Sequence, residues 1–484
     1  MQDETDYNHG DGECLIYKTC IYSFNCLFLW PSNFTVMMNY NKEIKLISER
    51  FYLTWAGEQM SWTVRMTMKM RDGVDGDLLR QAVESTRQRY PYYQVKLGIR
   101  KDAEGKEYFV YEDNSEPWVV SEGERPVRLI GAESNNHLLA FCYWDNCIAI
   151  DFFHCLTDGT GAYNILRTLL YEYARRRFTP EGMRMANIRV AGDTISPEEW
   201  EDPAAQVKPE HLDPLPVPER LPCIDLTTQA KTTVVETAET VNILVEEQEM
   251  MKYVSSSDTS PATLVSLLLT RAIARLHSDL KEGVPMVALA INQRPALGCP
   301  QAGQTLASAL RLTLYDEMRG MNLEKQQTIF RGMVALQSND DNVVEGFWKT
   351  QNVQDMFENI PTIEARHQAM AQAYSVATSS TTTCVSYVGK AKMGAAEQYV
   401  SEMYTEAFTP YALTIEMSAV GGTFCISFMQ RFADDTYLDA FLDEFRQIGL
   451  PYRIANRHPM TVAPIADYRD SLKMNPPASR RETW

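Results

Sequence analysis

One short stretch of the chain carries residue types that can perform acid–base chemistry. In FFHCLTDGTGAYN, residues 152–164, His154 stands four residues before Asp158, and Gly159 follows directly. A neutral imidazole is well suited to accept a proton near pH 7, because its unperturbed pKa of about 6.5 lies in the working range. We therefore expect His154 to deprotonate a hydroxyl or an amine.

Asp158 and Gly159 support the histidine in this interpretation. Asp158 can accept hydrogen bonds from the N–H groups of a helix start or from a buried arginine. Gly159 has no Cβ and lets the turn close tightly. The alternative is a purely structural turn, in which Asp158 caps a helix and His154 is a satisfied loop residue. Chance rarely places HxxxDG at a strand-to-helix junction, so we favour the catalytic interpretation.

Other reactive chemistries fit the chain poorly. Adjacent side chains of an extended segment point to opposite faces, so His154 is badly placed to activate Cys155 as a nucleophile. A metal site on His154 and Asp158 would need further ligands, and we predict no metal. The remaining histidines form no cluster with ligand spacing: His9, His137, His211, His277, His367 and His458. GxSxG, Walker and GxGxxG motifs after a strand are also missing from the sequence.

The segments around the motif predict a mixed α/β fold. Two apolar runs, 137–144 and 147–153, predict a strand hairpin that leads into the motif. From Gly159 to about Phe178 an apolar stripe at helical spacing predicts a helix. Earlier in the chain, residues 62–70 alternate as a half-buried strand does, and 75–90 follow as a capped helix.

The second half of the chain repeats this mixture. Ser260 and Pro261 are typical of a helix start, and the apolar run 284–292 predicts a central strand. A strand at 381–390, a hairpin across 411–430 and a final helix from Asp434 to about Gly449 follow. We therefore expect α/β structure in both halves.

Length and composition favour two globular lobes. A chain of 484 residues is too long for one ordinary core. The predicted division is an N-terminal extension (1–40), an N-terminal lobe with the motif (41–185), a Pro- and acid-rich linker (186–232), a C-terminal lobe (233–460) and a tail (461–484). The net charge of −18 disfavours nucleic-acid binding. The scattered cysteines, without CxxC spacing, fit a reduced, cytoplasmic protein.

The first 40 residues lack the marks of a secretory signal or a membrane span. They begin with acidic residues where a signal needs basic ones, and Lys18, Ser23 and Asn25 interrupt the apolar stretch. Two explanations remain open. The segment is a peripheral hydrophobic arm, or it is translated upstream sequence and the native start lies near Met37 or Met38.

HCLTDGTGA after an apolar strand resembles the HxxxDG motif of the coenzyme-A-dependent acyltransferase superfamily. That superfamily includes chloramphenicol acetyltransferase, the condensation domains of peptide synthetases, plant BAHD acyltransferases and alcohol O-acetyltransferases. RYPYYQVKL (89–97), INQRP (291–295) and SYVGK (386–390) follow in the order expected of the family. The resemblance covers roughly residues 45–450, and only HxxxDG is specific.

The resemblance implies two similar α/β lobes, each a two-layer mixed sheet, that meet at an active-site tunnel. Acyl donor and acceptor would enter it from opposite ends. His154 would be the general base. Asp158 would be structural, in an ion pair with an arginine such as Arg294. Ser386 and Thr383 would line the tunnel or donate a hydrogen bond to the oxyanion.

Two departures from family patterns narrow the expected function. Phe153 stands where condensation domains usually carry a first histidine, and the plant DFGWG segment does not occur. The chain is thus most similar to microbial alcohol O-acetyltransferases. This implies acyl transfer from acyl-CoA, a co-substrate, to a small or lipid-like alcohol or amine, by a monomer without a tightly bound cofactor. A stand-alone condensation-type enzyme using a carrier-protein thioester and a non-catalytic binding protein stay open as alternatives.

Overall fold

The computed structural model covers most of the predicted lobes. The predicted extension 1–40, the end of the predicted tail and parts of the predicted linker lie outside the described residues. The described residues are 41–44, 47–57, 60–178, 187–203, 212–217, 219, 221–279, 283–378 and 380–468.

Fifteen strands and ten α-helices lie in this part of the chain. The strands are β1 Asn41–Glu43, β2 Thr63–Met70, β3 Val95–Lys101, β4 Glu107–Asp113, β5 Val120–Glu122, β6 Leu139–Trp144, β7 Cys147–Phe153, β8 Val234–Glu246, β9 Met286–Asn292, β10 Ala307–Thr313, β11 Thr383–Lys390, β12 Val400–Ala407, β13 Leu413–Val420, β14 Thr423–Phe432 and β15 Arg453–Pro459. The helices are α1 Ile47–Trp55, α2 Gly76–Arg89, α3 Gly159–Phe178, α4 Glu247–Ser256, α5 Pro261–Leu276, α6 Asp316–Arg319, α7 Leu323–Gln337, α8 Asp340–Glu358, α9 Ile363–Thr378 and α10 Thr436–Ile448. Within the ranges given above, no helix is both long and apolar enough to cross a bilayer.

The strands form three sheets, and the mixed α/β class predicted from the sequence is confirmed. A five-stranded sheet has the order β12-β2-β7-β6-β5, and a seven-stranded sheet the order β10-β9-β11-β13-β14-β8-β15. A small sheet has the order β1-β4-β3. In the five-stranded sheet β2 pairs antiparallel with β7, with Thr63 opposite Phe153. The HxxxDG motif therefore begins at the end of β7, a strand that pairs with β2 on one side and with β6 on the other.

Strand β12 connects the two large sheets. It belongs to the second half of the chain, yet it pairs antiparallel with β2 and places Met403 opposite Met68. On its other side, the hydroxyl of Ser418 on β13 donates a hydrogen bond to the backbone carbonyl of Met403. The division into lobes at the boundaries given above stays a prediction.

The two faces of the seven-stranded sheet differ in chemistry, because successive side chains of a strand point to opposite sides. Ile415 and Phe428 face a hydrophobic core shared with α5 and α10. Glu416, Ser427 and Asn242, which are cross-strand neighbours, lie on the opposite face. One face thus stabilises the fold, and the other presents polar groups.

Helix ends follow the signals expected from the sequence. The side chain of Asp75 accepts hydrogen bonds from two backbone N–H groups at the start of α2. Ser260 caps α5 in the same way, with Pro261 in the first turn. Gly449 ends α10 with a left-handed φ of 69°, which costs a residue without Cβ little.

The predicted linker is anchored by a buried carboxylate. Glu199 accepts hydrogen bonds from Arg89 at 2.9 and 3.0 Å, from the Tyr92 hydroxyl at 2.9 Å and from Arg189 at 2.9 Å. Its backbone carbonyl accepts from the N–H of Gly303 at 2.9 Å. The linker therefore supports the loop between β9 and β10, which packs behind the HxxxDG motif.

Candidate active site

Residue His154 lies directly after β7 and is held through both of its backbone polar groups. Its N–H donates to the carbonyl of Trp62 at 2.9 Å. Its carbonyl accepts from the hydroxyl of Thr305 at 2.6 Å. The start of β2 and the loop before β10 thus fix the backbone from which the imidazole projects.

The imidazole is oriented by an aromatic ring. Tyr52 of α1 stacks on it, with ring centroids 4.5 Å apart and an interplanar angle of 20°. Tyr52 itself packs edge-on against Phe51 and Trp62. One face of the imidazole is therefore covered, and the ring cannot turn freely.

Burial lowers the pKa of His154, and its own backbone carbonyl and the charge of Asp158 offset part of that effect. Nδ1 is buried and has no hydrogen-bond partner among the described residues. Because its pKa is lowered, the imidazole is neutral at neutral pH and can act as a base.

Asp158 points at backbone amides and at an arginine. One carboxylate oxygen accepts from the N–H groups of Thr160 at 3.0 Å and Gly161 at 3.2 Å, at the start of α3. The other accepts from the N–H of Leu306 at 2.9 Å. Desolvation would raise the pKa of Asp158, but the charge of Arg294 and these hydrogen bonds outweigh it and lower the pKa. Asp158 therefore stays ionised while buried.

The side chain of Arg294 is fully engaged in this support. Its guanidinium forms a bidentate pair with Asp158, at 2.8 and 3.0 Å. The remaining donors bind the carbonyl of Ala302 at 2.7 Å, the side chain of Asn292 at 3.1 Å and the carbonyl of Gln304. Because every N–H has a partner, this buried charge holds the β9–β10 loop against the motif.

Gly159 lets the start of α3 approach β11. A Cβ at this position would lie 2.2 Å from Cγ2 of Val388 and 3.5 Å from Cβ of the same residue. Any side chain would therefore push the helix start away from β11. The close approach brings the HxxxDG motif next to the strand that carries Ser386.

Strand β11 carries two predicted site residues, Ser386 and Thr383, and only one of them faces the motif. Ser386 is half-buried and stands opposite Glu416, its neighbour on β13. Thr383 is fully buried, and its hydroxyl donates to the carbonyl of Leu413 at 2.8 Å. The two positions are three apart along the strand, so their side chains point to opposite faces of the sheet. The structure does not bring Thr383 to the site.

Comparison with known proteins identifies the fold. No protein-family model matches the chain, and no curated protein sequence does. Among solved structures, TRI101 of F. graminearum complexed with coenzyme A and T-2 mycotoxin matches with a TM-score of 0.52 and 12% identity, over 86% of this chain and 100% of that chain. Polyketide synthase associated protein 5 of Mycobacterium tuberculosis matches with a TM-score of 0.52 and 11% identity, over 84% and 96%. The chain has the chloramphenicol acetyltransferase-like fold.

The same fold serves more than one reaction. The epimerization domain from the third module of tyrocidine synthetase B also matches, with a TM-score of 0.52 and 13% identity, over 85% of this chain and 96% of that one. A chloramphenicol acetyltransferase-like fold therefore leaves the reaction to be argued from the side chains of the site.

The thiol beside His154 is buried and protonated. Cys155 is fully buried, and burial raises its pKa well above the usual range. Its carbonyl accepts from the hydroxyl of Tyr111 at 3.1 Å. Across the described ranges, no group of three or more His, Cys, Asp and Glu side chains could hold a metal ion. Of the two neighbouring side chains, the imidazole is therefore the better base.

Sequence reasoning missed three residues of the site: Tyr52, Thr305 and Glu416. Nothing local distinguishes Tyr52 or Thr305, because their roles depend on contacts with distant segments. Glu416 did leave a signal, since it is the single acid in LTIEMSAV, a strand that is buried along its whole length. Burial raises the pKa of Glu416 to about 7.

Proposed function

We propose that the protein transfers an acyl group from a coenzyme A thioester to the hydroxyl or amine of a small or lipid-like acceptor. His154 is the general base. The observation that carries the proposal is the state of this imidazole: neutral, stacked on Tyr52, and mounted on a backbone that Thr305 and Trp62 hold.

The reaction balances without a covalent enzyme intermediate. The unprotonated nitrogen of the His154 imidazole takes the acceptor's O–H proton while the acceptor oxygen attacks the thioester carbonyl carbon. The tetrahedral intermediate collapses, the C–S bond breaks, and the leaving sulfur takes the proton from His154. The products are an ester and free coenzyme A, and a positioned base contributes about 10² to 10⁴ in rate.

Ser386 is the proposed oxyanion donor. It lies on the face of β11 opposite to that of Thr383, and its hydroxyl would donate to the developing oxyanion. One such donor stabilises the transition state by about 2.7 to 4 kcal/mol.

The proposed donor and acceptor classes have support from the neighbours of this fold. TRI101 of F. graminearum was crystallised with coenzyme A together with T-2 mycotoxin or deoxynivalenol. Acyl-CoA would be a co-substrate here, and no cofactor would be held tightly. We also propose a cytoplasmic monomer. The described cysteines are all unpaired, which is typical of a reducing compartment.

A second candidate is a condensation-type reaction that uses a carrier-protein thioester. A polyketide synthase associated protein and an epimerization domain share the fold, and this observation favours it. Phe153 argues against it, because the first histidine of the condensation pattern is missing.

The identity of the acyl donor that the protein uses distinguishes these two functions. Purified protein is offered matched acyl groups on coenzyme A and on a carrier protein, with a panel of alcohols and amines, and products are identified by mass spectrometry. We expect ester or amide from acyl-CoA. Products from the carrier-protein thioester alone would support the condensation-type reaction instead.

A further inference from the structure

The Glu416 side chain is a buried carboxyl group that forms no ion pair with any described residue. It is 8% exposed. A carboxylate removed from water without a positive partner is costly, so buried carboxylates are normally paired. Basic side chains lie within 4.0 Å of these other buried carboxyl groups: Asp151, Asp158, Glu172, Glu199, Glu402, Glu406 and Glu444.

Its position connects Glu416 with the candidate active site. It stands opposite Ser386 in the register of β13 and β11. Val388, two residues after Ser386 and on the same face of β11, lies against Gly159 of the motif, where its Cγ2 is 2.2 Å from the position of a Cβ. Burial raises the pKa of Tyr52, the ring that stacks on His154, and the charge of Glu416 raises it further. The carboxyl group therefore lies on the face of the seven-stranded sheet that is turned to the motif.

Three groups that are affected by the charge of Glu416 are neutral. Burial raises the pKa of Tyr52, Tyr163 and Cys384, and the charge of Glu416 raises it further, so they are uncharged near pH 7. Arg167, whose Cζ lies 5.7 Å from the ring centroid of Tyr163, donates its hydrogen bonds to Asn164 and to the carbonyl of Lys392. A cationic ligand would thus find an unpaired carboxylate and aromatic rings, both of which attract positive charge.

We propose that Glu416 binds a cationic nitrogen of the acceptor, so that the preferred acceptor is an alcohol that also carries an amino or ammonium group. This inference rests on the proposed acyl transfer, because it assigns the acceptor of the same site. The net charge of −18 favours approach of such a cation to the protein.

Two probes of equal length test the inference by calorimetry, without turnover. 6-Amino-1-hexanol carries the cation, and 1-heptanol replaces it with a methyl group. Glu416→Gln keeps the size and polarity of the side chain but removes the charge. We expect this variant to bind the amine about tenfold or more weakly, as for a lost charged hydrogen bond, and to bind heptanol unchanged. Glu236→Gln, at an exposed position of β8 in the same sheet, is the matched control and should bind both probes as wild type does.

The pH dependence gives an independent readout. Since burial raises the pKa of Glu416 to about 7, the ion pair forms fully only above that pH. Affinity of the wild type for 6-amino-1-hexanol should therefore rise between about pH 6 and about pH 8, where the amine stays protonated. Glu416→Gln should show no such rise.

Several results would overturn the inference. They are an unchanged affinity of Glu416→Gln for the amine, an equal loss for both probes, or no binding of the amine by the wild type. This failure is distinct from failure of the proposed function. If the amine binds through Glu416 but thiol release does not depend on His154, the assignment of Glu416 as the cation-binding residue is supported and the proposed acyl transfer by His154 is wrong.

Discussion

At the scale of single residues, the HxxxDG motif divides into a reactive group and its support. His154 projects a neutral imidazole, whereas Asp158 turns towards Arg294 and the start of α3. A His/Asp pair in sequence would suggest a proton relay. The carboxylate of Asp158 instead accepts its hydrogen bonds from Arg294 and from backbone N–H groups, and so stabilises the fold. The two residues should therefore respond differently to substitution.

Asp158→Asn should destabilise the protein strongly. It leaves the buried guanidinium of Arg294 without its countercharge, a change that typically costs about 3 to 5 kcal/mol. Denaturant unfolding with wild type and variant measures this loss. Arg294→Met in the Asp158→Asn background should recover part of it, because the uncompensated charge is then gone. A stable and fully active Asp158→Asn variant would contradict the structural role.

The pH profile should report the neutral imidazole. Burial lowers the pKa of His154, so the base form persists to lower pH than for a free histidine. With a neutral alcohol as acceptor, kcat/KM should fall on the acid side with a midpoint below about 6.5. A midpoint above that value would mean that another group, or a charged imidazole, controls the reaction.

Ser386→Ala should separate transition-state stabilisation from binding. If Ser386 donates to the oxyanion, kcat falls by about 10² to 10³ while KM for acyl-CoA stays nearly constant. Steady-state kinetics at saturating acceptor measure both constants. Thr383→Ala is not a neutral control, because Thr383 bonds the carbonyl of Leu413. An unchanged kcat in Ser386→Ala would remove Ser386 from the mechanism.

At the scale of elements, the contact between α3 and β11 depends on one glycine. In Gly159→Ala the new Cβ would meet Cγ2 of Val388 at 2.2 Å. We expect a lower Tm and reduced activity, because the helix start and the motif must shift. The Gly159→Ala, Val388→Ala double variant should recover activity, since the next contacts, Cβ of residue 388 and Cε of Met66, both at 3.5 Å, are ordinary ones. If the double variant does not recover activity, the contact with Val388 is not the cause of the loss.

The elements next to the motif could be predicted because their signals are local. Alternation in β2, the apolar run of β7 and the stripe of α3 each depend on neighbouring residues. The support by Arg294 was expected from a resemblance alone. Its geometry, and the bond from Thr305 to the His154 carbonyl, depend on segments that meet only in the folded chain. No local pattern specifies which distant loop will close behind a strand.

Strand β12 shows the same limit for topology. Its sequence, VSEMYTEA, contains no pattern that indicates β2 as its partner. The two strands pair across more than 300 residues of chain. The same limit applies to residues of the candidate site. Ser386 and Thr383 are both hydroxyl residues of β11, and only the register of the strand decides which of them faces Glu416.

At the scale of the whole molecule, β12 makes the two halves of the chain interdependent. A fragment of residues 41–222 would lack β12 and leave β2 with an open edge, which favours aggregation. We expect this fragment to be insoluble alone and to become soluble when it is co-expressed with residues 223–468. Size-exclusion chromatography measures the outcome. A soluble, monomeric fragment 41–222 with native secondary structure would show that β12 is dispensable.

Free thiol release from acyl-CoA shows whether His154 catalyses acyl transfer from a thioester. In the presence of a competent acceptor, wild type should release thiol together with ester. His154→Ala removes the base while the backbone contacts of residue 154 remain, so it should stay folded and lose about 10² to 10⁴ in rate. Equal thiol release by wild type and a folded His154→Ala variant would contradict the account.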